Sequence, residues 1–83
     1  MSDLDRYAQL IHDHIAESRA TVTGGGGKFE ATVISDAFDG RGMLARHRLV
    51  YAALDDQIKS GEIHAVTIRA YTPAEWDAAG SGA

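Results

Sequence analysis

Near the start of the chain, Leu4, Tyr7, Ile11 and Ile15 recur at helical spacing, with Asp3, Asp5, Arg6, Asp13 and Glu17 at the positions between. The pattern predicts an amphipathic helix, capped by Ser2 or Asp3. A short extended segment, Ala20 to Thr23, runs into Gly24-Gly25-Gly26-Gly27. Lys28 to Ser35 then alternates, Phe29, Ala31 and Val33 on one side and Lys28, Glu30 and Thr32 on the other, which is the period of a half-buried strand. Two strands about a Gly-rich loop predict a hairpin, although four glycines allow more freedom than a tight turn requires. Ser35 to Gly42 reads as a turn region, with Phe38 as its anchor in the core. One long helix is predicted over Met43 to Ser60, with Leu44, Tyr51, Leu54 and Ile58 on its buried face and an Asp55/Lys59 i,i+4 pair. Gly61 is placed to end it in a left-handed conformation. Ile63 to Ala70 predicts a third strand, in which His64, Val66, Ile68 and Ala70 share a face. Thr72-Pro73-Ala74-Glu75 spells a helix start with a capping box, and Trp76 falls on that last short helix.

The element order is α-β-β-α-β-α, an α+β domain over residues 1–79 with a flexible tail at 80–83. Eighty-three residues, 45% hydrophobic, suffice for one core, and a chain this short buries only about 60% of its unfolded surface. There is no cysteine, so disulfides, zinc–thiolate sites and thiol catalysis are excluded within the chain. Neither a signal peptide nor an apolar stretch of membrane-spanning length is visible. The expected location is the cytoplasm, without a membrane partner. The formal charge of −4 argues against non-specific nucleic-acid binding, which draws on Lys and Arg at phosphates. The sign is uneven, however: Arg41 to Leu54 holds three arginines, one histidine and no acid.

Few residues carry candidate chemistry. No Ser or Thr has an evident base, and nucleophile-elbow, P-loop and paired-carboxylate signatures are missing; no enzyme is expected. His12 and His14 sit two apart, off a common helix face, and read as solvated surface. His64 opens a strand on the parity of Val66 and Ile68, where an imidazole has an apolar flank and solvent beyond it. A neutral imidazole is a good ligand for iron or zinc; the bland alternative is a partly buried histidine bonded to a backbone carbonyl. Arg46-His47-Arg48 stands in the first half of the long predicted helix and Asp55-Asp56 in its second, the reverse of what the helix dipole favours. That block is either a solvated face or a basic patch for an anionic surface. Gly24 to Gly27 satisfies the GxxG pattern of KH clamps, but between strands rather than helices.

Four blocks decide between these readings: Phe38-Asp39-Gly40, Arg46-His47-Arg48-Leu49-Val50-Tyr51, Ile63-His64-Ala65-Val66 and Tyr71-Thr72-Pro73-Ala74-Glu75-Trp76. Together they resemble the signature of the BolA family, nearest its short, single-domain bacterial branch, and the resemblance is specific over Ser35 to Trp76. It implies a three-stranded sheet covered on one face by helices, related to the type II KH fold. It also implies an adaptor that partners a monothiol glutaredoxin in iron–sulfur cluster binding, trafficking or iron homeostasis. The [2Fe–2S] cluster is then shared with glutaredoxin and glutathione, and none is held by this chain alone. His64 matches the family's cluster-ligating histidine. The family's second ligand, a His or Cys, comes from the loop between the first two strands, where this chain has Gly24-Gly25-Gly26-Gly27-Lys28. A lysine ammonium has no lone pair to offer. Three alternatives follow: His47 substitutes as a metal ligand, solvent or a partner group completes the site, or the protein docks without binding a cluster strongly. Arg41, Arg46 and Arg48 are the partner- or anion-binding residues in this reading. The alternative function is a KH-like regulator of transcription that binds DNA or RNA through those arginines. A third is a homodimer formed through the open edge of the sheet.

Overall fold

The computed structural model describes residues 2–80; the predicted tail lies, from Ser81 onward, outside them. Helix α1 (Asp3–His14) is followed by strands β1 (Arg19–Gly25) and β2 (Lys28–Ile34) and a 3-10 turn at Asp36–Phe38. Helices α2 (Met43–Ala53) and α3 (Asp55–Lys59), strand β3 (Ala65–Tyr71) and helix α4 (Pro73–Ala78) complete the chain. The sheet order is β1-β2-β3, with β1 and β2 antiparallel and β2 and β3 parallel.

The sheet buries one side. Val22, Ala31, Val33, Ile68 and Ala70 form one core with Tyr7, Ile11 and Ile15 from α1 and its end, and with Val50 and Leu54 from α2. Phe38 is fully buried among them, as its place in the turn region led us to expect. The other face of the sheet carries exposed Thr21, Thr23, Glu30, Thr67 and Arg69. This is the α+β, three-stranded architecture the element order predicted.

Local chemistry sets the boundaries. Ser2 caps α1 by accepting a hydrogen bond from the Asp5 N–H at 3.1 Å. Thr72 and Glu75 form the reciprocal capping box of α4, which satisfies two of its unpaired N–H groups. Gly61, at φ 83°, follows α3 in the left-handed conformation assigned to it.

Three expectations are corrected. The single long helix is two, broken at Leu54, whose φ of −108° and ψ of 14° leave the helical region. The break places Asp55 and Asp56 in the first turn of α3 and Lys59 in its last, so these charges complement the dipole they had been read as opposing. The buried face of α2 is also different: Val50 and Leu54 point inward, while Leu44 is 64% and Tyr51 44% exposed. Finally, the four-glycine run is no floppy loop. Gly24 and Gly25 pair with Phe29 and Lys28 as strand residues, leaving Gly26 and Gly27 as a two-residue turn. Their φ values of 61° and 82° are the positive pair that a type I′ hairpin turn demands.

Candidate functional site

The parallel pairing of β2 with β3 builds the site. Parallel strands begin at the same end of a sheet, so the turn that precedes β2 lies beside the residue that precedes β3. The register sets Lys28 against Ala65, and the Gly27 carbonyl accepts hydrogen bonds from the N–H of both His64, at 2.7 Å, and Ala65, at 3.1 Å. His64 is thus fixed by its backbone against the hairpin turn, one residue ahead of the strand the pattern had placed it in.

The imidazole lies over Gly27. A Cβ on that glycine would come within 3.0 Å of both Cγ and Nδ1 of His64, closer than such contacts ordinarily stand. The ring is solvent-exposed and borders a shallow depression of about 100 Å³ shared with Tyr51, Ile58, Ile63, Ala65 and Val66. Ile63 is buried, because it precedes the strand and follows the turn of Gly61 into the core. One apolar flank and one open side therefore surround His64.

A second group braces this segment from behind. Glu62 accepts hydrogen bonds from the Tyr7 hydroxyl and the Arg6 guanidinium, tying α1 to the approach to His64. The Tyr7 bond, with Arg6 beside it, holds the Glu62 carboxyl below its ordinary range. Burial, followed by the Glu62 bond, pushes the Tyr7 phenol up to about 12. Sequence reading placed Tyr7 in the core and passed over Glu62; a polar tip on a core tyrosine, in need of a partner when buried, was the available signal.

The other candidates are dispersed. His47 is half-buried on α2, and its Nε2 is buried without a hydrogen-bond partner. It does not line the depression at His64. Arg46 has left the solvated face: its side chain is 13% exposed and pairs with Glu75 at 2.6 Å. Its Nε donates to the Arg41 carbonyl at 2.8 Å, Nη1 to the Ala70 carbonyl at 3.2 Å and Nη2 to the second Glu75 oxygen at 3.1 Å. The guanidinium also lies 5.9 Å from the centre of the Phe38 ring. The Arg46 hydrogen bonds, with that from the Thr72 N–H, hold the Glu75 carboxyl down at about 2. Arg46 joins α2 to the cap of α4, and this corrects its assignment as a residue open to anions. Arg41 and Arg48 are exposed, although Nε of Arg41 donates to the Ala37 carbonyl at 2.9 Å.

As a metal centre in its own right the site does not fit. Among the described residues, no three His, Asp or Glu side chains converge closely enough to hold an ion, and the turn beside His64 offers only backbone. The site presents one imidazole, not a ligand set.

A family model described as BolA-like protein matches residues 8–75. The chain belongs to the BolA-like family. An uncharacterized protein of Acinetobacter guillouiae is 36% identical over 87% of both chains. Acid stress protein IbaG of Escherichia coli is 42% identical over 66% of each. Among solved structures, a BolA homologue from Coxiella burnetii matches with a TM-score of 0.81 at 40% identity, covering 93% of this chain and 99% of that one. The BolA domain of SufE1 from Arabidopsis thaliana matches at 0.73 and 33% identity, covering 90% and 96%. The blocks that carry the resemblance then fall into two kinds on this BolA-like protein: Ile63-His64-Ala65-Val66 presents an exposed imidazole beside the hairpin turn, whereas Arg46 and Glu75, drawn from two separate blocks, are each other's structural partner.

Proposed function

We propose that this BolA-like protein is an adaptor for a monothiol glutaredoxin, meeting it at His64 around an iron–sulfur cluster that is cargo rather than a resident group. The observation that carries the reading is the placement of the imidazole: backbone-fixed against Gly27, exposed, and flanked by an apolar depression. A neutral imidazole so presented can serve as a ligand to a metal held mainly by another protein. Histidine in place of thiolate on one iron of a [2Fe–2S] cluster raises its potential. His64 supplies one position, and glutaredoxin and glutathione thiolates supply others. The bare glycine turn leaves the remaining one to solvent or the partner, and His47, away from the depression, is the less favoured substitute. The protein acts in the cytoplasm, and no helix among the described residues is long and apolar enough to cross a membrane.

Co-purification with a monothiol glutaredoxin and glutathione, followed by visible absorption and circular dichroism, tests this. Wild type gives a complex whose cluster spectrum changes in His64→Ala and persists in His47→Ala. Absence of any complex at micromolar concentration removes the reading, and an unaltered spectrum in His64→Ala removes the histidine from it. The nucleic-acid alternative loses Arg46 to Glu75 and keeps two exposed arginines, Arg41 and Arg48, on a chain of net charge −4.

A further inference from the structure

Helix α2 is apolar on two sides. Val50 and Leu54 enter the core, with Leu49 and Ala53 packed against it. Met43, Leu44 and Tyr51 are nevertheless the large apolar residues left in solvent among those described, at 66, 64 and 44% exposure. At 100° per residue, Leu44, Arg48 and Tyr51 stand at successive steps of i, i+4 and i+7 and form one strip. Tyr51, at the end of this strip, also lines the depression beside His64. The apolar strip and the imidazole therefore make one continuous surface.

Its charge is equally specific. Arg41 and Arg48 are exposed, and no acid occurs between Arg41 and Leu54. Arg46 is neutralised within the fold by Glu75, so the outward positive charge here comes from Arg48, inside the strip between Leu44 and Tyr51, and from Arg41, in the turn ahead of α2. On a chain of net charge −4 this is a local inversion of sign. A surface on which apolar side chains alternate with positive charge fits a protein whose own patch combines apolar and acidic side chains.

We propose that Leu44, Arg48 and Tyr51 form the docking strip for the cluster-bearing partner, and that this strip, not coordination by His64, supplies most of the affinity. The inference rests on the adaptor reading and adds the chemistry of the partner's surface: an apolar patch that carries Asp or Glu opposite Arg48, placed so that its metal centre reaches His64. Docking by the strip and ligation by the imidazole are then separable. The strip holds the partner with or without a cluster, and the histidine alters the cluster without deciding whether the proteins meet.

The test is calorimetric titration of a monothiol glutaredoxin, apo and cluster-loaded, into wild type, Leu44→Asp, Arg48→Glu and His64→Ala. Leu44 and Arg48 are exposed, so both variants should unfold at the wild-type temperature, and Arg48→Glu carries the test if Leu44→Asp does not. Each is expected to weaken binding of both partner forms by at least about tenfold, and Arg48→Glu to flatten the salt dependence of association. His64→Ala should weaken apo-partner binding by less than Leu44→Asp or Arg48→Glu does and should change the cluster spectrum, and a larger loss in His64→Ala than in both strip variants overturns the strip as the main source of affinity. Wild-type binding that Leu44→Asp and Arg48→Glu leave intact overturns the strip while the adaptor reading stands. Failure of wild type to bind either form overturns both. Sedimentation of the chain alone covers the other occupant: a dimer dissolved by Leu44→Asp would assign the strip to a second copy and overturn the proposal.

Discussion

Three neighbouring glycines permit a graded test of how His64 is seated. Gly25 has no atom within 4 Å of a built Cβ, and its φ lies outside the left-handed range. Gly25→Ala therefore meets neither strain nor contact, and a gain of about 0.4–1 kcal/mol from a less flexible unfolded chain is expected. Gly26 has equally open space but a φ of 61°, so alanine there meets left-handed strain of about 1–2 kcal/mol, partly offset by the same unfolded-state effect. Gly27 adds to a φ of 82° the imidazole, 3.0 Å away at Cγ and Nδ1. The His64 backbone cannot retreat without losing its 2.7 Å bond to the Gly27 carbonyl, so the ring must turn about its own torsions. An off-rotamer side chain costs about 0.5–1.5 kcal/mol. Gly27→Ala should thus melt below Gly26→Ala by roughly 2–12 °C, at 4–8 °C per kcal/mol for a domain of this size. Thermal and urea unfolding give the order, and the imidazole resonances of His64 report the ring, shifted in Gly27→Ala and unshifted in Gly26→Ala. Equal stabilities with equal imidazole spectra would refute the claim that a missing side chain makes room for the ring.

Other consequences follow from buried polar groups. His47→Leu replaces a buried Nε2 that has no partner with an apolar side chain, and a gain of about 1 kcal/mol in urea unfolding is expected; a loss of that size would mean the ring is satisfied. Arg46→Met forfeits hydrogen bonds to the carbonyls of Arg41 and Ala70, with an expected cost of about 1–2 kcal/mol. The same variant tests Glu75, whose pKa is held down to about 2 from an ordinary 4.5. That contribution is fully present above pH 4.5 and is lost as pH falls toward 2, so the acid limb of stability should be shallower in Arg46→Met than in wild type. Tyr7 moves in the other sense, from 10 to about 12: its contribution holds below pH 10 and is lost as pH rises through 12. Ultraviolet titration should find one of the three tyrosines ionising late, and Tyr7→Phe should abolish that late step.

Periodicity was a sound guide wherever one face of an element meets the core and the other meets water. The first helix and the alternation of β2 satisfy that condition, and both were legible. Helix α2 does not satisfy it. Leu44 and Tyr51 recur at a spacing as helical as that of Val50 and Leu54, and nothing in the spacing says which set the sheet will take. The break at Leu54 was equally hidden, because it carries neither Gly nor Pro and is visible only in its dihedral angles. Arg46 and Glu75 lie 29 residues apart; their pairing depends on where α4 comes to rest, which no local pattern records. His64 was legible as a residue of interest, but its footing was not: the glycine run read as flexible became a seat only once the parallel register of β3 was known.

Under the adaptor reading, that register also gives this chain a reason for a docking surface. In a sheet whose second and third strands run parallel, the hairpin turn before β2 is the neighbour of residue 64, so it is the natural source of any further donor. Here Gly26 and Gly27 bring backbone alone, and their positive φ values disfavour the β-branched or bulky side chains that a tight turn would otherwise accept. In that reading an isolated imidazole on such a seat would contribute one bond to a shared cluster, which cannot by itself select one protein from another. Selectivity must then come from area and charge, and the structure leaves both unspent on the same side: Leu44 and Tyr51 in solvent, Arg48 between them, and the one basic residue that might have blurred the pattern folded away against Glu75.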